Sequence, residues 1–289
     1  MTNIILHVII GTSAQNYIKD IIKPDKLEVK VMHRIILFLL ITLFLSIYPI
    51  VIYSKTLDET MVLALSFDDG QGANAIDSSQ YKLNGKVSGA QWASGKFGKA
   101  LEFDGVDDFV EVADNPKLLL LNGGTFMAWA FIKTEKGHAS WPRILIKSNT
   151  NGGTHGYDFL FDRAAGYSIR FCVGGACNSY FPVETEKWHH VAVTFDSKTI
   201  KVYHDGKNVG EQAQPGPAID TTGFPLRIGN SSTTDRPYHG LLDEIRIWSR
   251  ALDEKEIKFQ MERGIRDIVP VEPQSSLATQ WAMLKIIDN

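Results

Sequence analysis

The chain has 289 residues, 44% of them hydrophobic and 22% charged, with a formal net charge of -3. That length suffices for one large β domain or two small ones, each with a proper core. Near-neutral charge, with no Lys/Arg cluster interleaved with aromatics, argues against nucleic acid as a partner.

The first predicted element is the uncharged 19-residue run 35–53, "IILFLLITLFLSIYPIVIY", which is about as long as a bilayer core is thick. Lys19, Lys23, Lys26, Lys30 and Arg34 lie on its N-terminal side. Met32 followed by this run reads as the start of a secretory signal, which makes residues 1–31 an upstream extension. Residues 32–55 are then either a cleaved signal peptide or a transmembrane anchor. Either way the remainder is exported, so a secreted or membrane-anchored protein with an extracytoplasmic domain is expected.

Within a domain expected at 56–264, short alternating apolar runs from Met61 to Trp248 are separated by Gly, Asn, Asp and Ser clusters. This texture predicts an antiparallel all-β sandwich or barrel. Candidate strands are 61–67, 99–103, 108–113, 125–133, 143–148, 157–163, 167–173, 189–196, 198–206, 225–230 and 241–249. Within 189–196, Val191, Val193 and Phe195 share one face and His190, Ala192 and Thr194 the other. The second face is expected to be wet or ligand-facing.

The stretch 101–112, "LEFDGVDDFVEV", brings Glu102 and Asp104 onto one side of a strand at a spacing open to a glycosidase pair. Asp104-Gly105 is however a turn signal, so the strand stops before Asp107 and the stretch is read as a hairpin between two core-forming strands. The acids are read as turn residues and no catalytic residue is assigned. Further on, "FCVGGAC" predicts a Gly174-Gly175 hairpin with Cys172 opposite Cys177 at a non-hydrogen-bonded pair. In an oxidising compartment this pair forms a disulfide, and otherwise it is two thiols. Asp253 and Glu256 have capping-box spacing, which predicts a short helix ended by Gly264. Residues 265–289 read as a linker and a tail too short to fold alone.

Five stretches together resemble the laminin-G-like domains of the concanavalin A-like lectin and glucanase superfamily. They are "LALSFDDGQGANAIDSSQYKLNGKV", "GKFGKALEFDGVDDFVEV", "KWHHVAVTFDSKTIKVYHDGKNVG", "LRIGN" and "GLLDEIRIWSRALDEKEI", in that order between residues 63 and 257. The resemblance implies a two-sheet antiparallel jelly-roll sandwich, often calcium-stabilised, that binds glycans or proteins outside the cell.

For calcium, Asp68, Asp77 and Asp243 are the candidate ligands. Asp243 alternates with Ile245 and Ile247, so its carboxylate is expected on the core face, where burial is costly without a partner. If the first and last strands are neighbours, as the resemblance implies, Asp68 approaches it, and two adjacent carboxylates favour a cation. The alternative is that Asp77 and Asp243 accept loop amides and no metal binds. His189 and His190 point to opposite faces and are read as packing residues. Trp141, Arg143, Arg170 and Tyr180 are the candidate ligand contacts, because sugars present apolar CH faces beside hydroxyls.

The expected function is an exported, non-catalytic binding module for a glycan or an extracellular protein. A structural or adhesion domain for cell-surface assembly is the alternative, with a glycan hydrolase a weaker third.

Overall fold

The computed structural model describes residues 58–134, 139–148, 156–196, 198–213 and 221–268. Contacts divide the chain into Met1–Ser54 and Lys55–Asn289, and every described residue belongs to the second unit. The expected signal or anchor at 32–55, the extension 1–31 and the tail beyond 268 lie outside the described residues. Among the described residues, no helix is long and apolar enough to cross a membrane.

The first strands are β1 (Met61–Leu65), β2 (Asn74–Ala75), β3 (Gly85–Ser88), β4 (Gln91–Ser94), β5 (Lys99–Asp104) and β6 (Phe109–Val112). Next come β7 (Gly123–Ile132), β8 (Arg143–Lys147), β9 (Tyr157–Asp162), β10 (Ser168–Val173) and β11 (Ala176–Pro182). The last are β12 (Trp188–Asp196), β13 (Thr199–His204), β14 (Lys207–Ala213), β15 (Leu226–Ile228) and β16 (His239–Trp248), followed by helices α1 (Glu254–Met261) and α2 (Ile265–Ile268).

One eight-stranded sheet runs β14-β13-β12-β7-β16-β5-β4, with β1 also paired to β16; the other runs β11-β10-β9-β8-β15-β6-β3-β2. Alternation explains the layering, since each strand sends every second residue inward. Phe126 and Phe195 from the first sheet meet Phe171 from the second, with ring centroids 5.4 to 6.1 Å apart. This is the expected jelly-roll sandwich. Asp253 caps α1 through the predicted capping box.

All eleven candidate strands form. The missed ones are β2, β3, β4, β11 and β14; all but β3 end a sheet path, and their burial is partial. An edge strand needs no apolar alternation, so it leaves a weak periodic signal.

Three expectations are corrected. Residues 105–108 do not close a hairpin: β5 pairs with β4 and β16 in one sheet, whereas β6 pairs with β3 and β15 in the other. Leu101, Phe103, Val110 and Val112 are nevertheless all core. Second, the outward face of 189–196 is not wet. Ala192, Met127, Tyr203 and Trp248 form a second apolar cluster with Ile257 of α1 and Ile265 of α2. Third, Asp243 does not share a face with Ile245 and Ile247. A bulge lies between Asp243 and Arg246, with Glu244 at φ 55, and Asp243 opposes Trp129. One extra residue inverts the phase of the strand.

Candidate functional site

The outward face of the second sheet is set by its ladder. Arg143 opposes Leu160, Leu160 opposes Arg170 and Arg170 opposes Ser179, while Asp158, Cys172 and Cys177 form the next row. Directly opposed residues share a face. Gly174 and Gly175 take φ of 55° and 83°, the left-handed pair that a two-residue turn requires. That turn brings Cys172 and Cys177 together as a disulfide, with Cα atoms 4.1 Å apart.

Arg143, Asp158, Leu160, Arg170 and the disulfide line a pocket of about 220 Å³, with Trp141 and Arg236 contributing to its wall. Trp141, Arg143 and Arg170 are therefore brought to one place. Tyr180 is not. It lies on the other face of β11, half-buried against Gly210, where an added Cβ would sit 2.5 Å from the ring. Burial pushes its phenol up to about 12.

Polar contacts hold the pocket's shape. Arg143 Nε lies 2.8 Å from Asp158 Oδ1, both side chains essentially buried, and Arg143 Nη1 donates to the Trp141 carbonyl at 2.6 Å. Arg170 Nη1 donates to Ser179 Oγ at 2.9 Å, beside Asp162. The Arg236 guanidinium lies over the Trp141 ring at 4.9 Å. Trp141 nevertheless stays 40% exposed. Sequence reasoning missed Arg236. Its only local signal is a turn-rich loop, and it reaches the pocket because Arg143 N donates to its carbonyl.

The three candidate metal ligands separate. Asp77 is buried, and its carboxylate accepts from the amides of Ala64, Ser79 and Leu83 and from the Ser79 hydroxyl. Asp68 and Asp243 instead grip one turn, since β1 does pair with β16. Lys99 N donates to Asp68 Oδ1 at 2.8 Å and Phe97 N to Asp243 Oδ2 at 3.0 Å. Asp68 also meets Arg266 at 3.2 Å. Asp243 Oδ1 is buried without a hydrogen-bond partner, as is Glu244 Oε1. Burial, with the charges of Glu244 and Asp68 adding to it, pushes Asp243 up to about 8.

Of the acids of 101–112, Asp104 and Asp108 serve the turn. Val106 N donates to Asp104 Oδ1 and Asp104 N to Asp108 Oδ2, each at 2.8 Å, while Glu102 pairs with Lys133. Burial raises the Asp108 carboxyl. His190 packs edge-on to Trp129, and burial pulls it down to about 3. His189, also expected to pack, meets His204 and Asp205 at one end of the sandwich; His204 and Asp205 had not been singled out.

Comparison with known proteins bears on the fold. Residues 104–258 match the family model described as the concanavalin A-like lectin/glucanases superfamily. A 74-residue segment is 30% identical to adhesion G-protein coupled receptor V1 of Danio rerio, covering 25% of this chain and 1% of that protein. Among solved structures, domain 4 of AbnA, an extracellular arabinanase of Geobacillus stearothermophilus in complex with arabinotriose, superposes with TM-score 0.56 at 17% identity. The match covers 70% of this chain and 98% of that one. The binding domain of Paraclostridial Mosquitocidal Protein 1 gives 0.55 at 15% identity over 71% and 52% of the two chains. The receptor binding domain of botulinum neurotoxin mosaic serotype C/D gives 0.55 at 16% over 72% and 51%. At these identities the structures speak for the fold.

Proposed function

The chain belongs to the concanavalin A-like lectin/glucanases superfamily, and on that premise we propose that its sandwich is an extracytoplasmic, non-catalytic module that binds a glycan on its second sheet. The observation that carries this reading is the pocket itself. An exposed indole stands beside the guanidiniums of Arg143, Arg170 and Arg236. Sugar rings need this pairing: the indole covers the apolar CH face, and planar donors address the hydroxyls. Arabinotriose, named with the AbnA domain, is a ligand of the same chemical class on the same fold. Support for a non-catalytic role of 101–112 comes from the engagement of its acids, since Asp104 and Asp108 accept backbone amides, Glu102 pairs with Lys133 and Glu111 with Arg227.

Calcium is part of the proposal. The pair Asp68 and Asp243 fits a hard cation, since a buried Asp243 oxygen lacks a donor and oxygen ligands suit this ion. Bound there, the ion would neutralise the two carboxylates that hold the 95–99 turn. Asp77, saturated by loop donors, stands apart.

The test is a glycan array probed with the full chain, once with calcium and once with chelator. Binding to defined glycans is expected. No binding in either condition overturns the lectin reading, and capture of protein without sugar favours the assembly alternative. An unchanged melting temperature under chelation overturns the calcium.

A further inference from the structure

At the end of the sandwich where β12 starts and β13 stops, three ligand-type atoms face one another. His204 Nε2 lies 2.8 Å from His189 Nδ1, and Asp205 Oδ2 lies 3.4 Å from the first and 3.8 Å from the second. A triangle with edges of 2.8, 3.4 and 3.8 Å has a centre about 2.0 Å from every corner, the length of a zinc–imidazole bond. We propose that His189, His204 and Asp205 form a binding site for a zinc-class divalent cation with one coordination position left open.

The surroundings orient each donor. His189 Nε2 is 2.9 Å from the Glu184 carbonyl, which can only accept, so Nε2 carries the proton and Nδ1 presents its lone pair to the centre. The Asp205 carboxylate is held from behind, where His190 N donates to Oδ1 at 2.9 Å, leaving Oδ2 to face the two rings. Phe181 of β11 stacks on the His204 ring with centroids 4.9 Å apart, which fixes the imidazole plane. In the metal-free pair His204 Nε2–H donates to His189 Nδ1. Binding then requires only that this proton shift to His204 Nδ1, since His189 needs no change. The Asp205 side chain is 48% exposed, so the remaining position opens to water.

Nitrogen donors decide the class of ion. Calcium takes six to eight oxygens, whereas two imidazoles and a carboxylate suit zinc and its transition-metal neighbours. The site is thus chemically distinct from the carboxylate pair at Asp68 and Asp243. It links the strand β12, the end of β13 and the turn that follows it.

The full chain is titrated with zinc alone against a chromophoric chelator, in parallel with His204→Gln, Asp205→Asn and the double variant. Wild type is expected to bind one more equivalent than the double variant, with each single change weakening that equivalent by more than the roughly 10- to 100-fold that loss of an outer-shell partner costs. Metal-free melting temperatures, which control for folding, should agree among the four proteins. Cobalt(II) supplies a second readout: visible ligand-field bands in wild type should be altered by His204→Gln, and excess calcium should not displace the ion. Equal zinc stoichiometry in wild type and double variant, or displacement by calcium, overturns the site and leaves a hydrogen-bonded histidine pair.

Discussion

Outward from the shared core, the first sheet is covered by apolar contacts and helices, while the second presents ions and an exposed indole. On the first, Met127, Ala192, Tyr203 and Trp248 pack against Ile257 and Ile265. The helices are stapled by Arg246, which pairs with buried Glu244 and donates to the carbonyls of Gln260 and Arg263, while Ile265 N donates to Glu244. On the second, Arg143, Asp158 and Arg170 line an open pocket under Trp141. On the proposed reading, two faces of one sandwich divide the labour. A buried polar network on a covered face secures structure, whereas on the other face a buried Arg143–Asp158 pair underlies an exposed indole flanked by the half-buried Arg170 and Arg236.

The strongest way to break that division is Arg246→Ala. It leaves the Glu244 carboxylate buried without its cation, and a loss of roughly 3–5 kcal/mol in unfolding free energy is expected by denaturant titration. Glycan affinity of the surviving folded fraction should not change, and a selective loss of affinity would refute the separation of the two faces.

A second large effect, comparable with the first across its whole window, is the pH response of Asp243. Its folded-state value near 8 stands above the unfolded value of 3.8, so the folded chain holds the extra proton. Without a bound cation, stability should therefore fall as pH rises from about 4 to about 8, by up to about 1.4 kcal/mol per unit. Asp243→Asn should flatten that slope in chelated protein. Thermal melts across the window decide the matter, and equal slopes in both proteins would remove Asp243 as the cause.

The smallest effect on stability, and the one that sharpens the comparison, is Trp141→Ala. Because this ring is exposed, the unfolding free energy should move by no more than about 0.5 kcal/mol. Glycan affinity should drop by about tenfold, corresponding to the 1–2 kcal/mol scale of a lost aromatic platform. Calorimetric titration with an array-identified glycan reads it, and unchanged affinity would move the site elsewhere.

Much of this was legible in the chain, but unevenly. The core strands announced themselves through alternation, and "GGAC" with its preceding "CV" specified both the turn and the cysteine pair. Trp141, Arg143 and Arg170 could be singled out by residue type and, for Arg170, by strand phase, but that they meet in one pocket is set by the strand order. Tyr180 was misplaced because its strand, β11, was not recognised, and without the strand its face was unknown. His204 and Asp205 escaped because Val191 opposes His204, a register that no local pattern states.

The sequence by itself determined the all-β class, the inward residues, the α1 capping box and the disulfide, all of which depend on near neighbours in the chain. Only the tertiary structure decided which face is open and which residues meet there. The bulge at Glu244 turned Asp243 outward, residues 105–108 crossed between sheets rather than closing a hairpin, and Arg236 came to Trp141 from a distant loop. The physical reason is that alternation has a period of two residues and is written locally, whereas sheet order and register come from packing the whole set of strands at once.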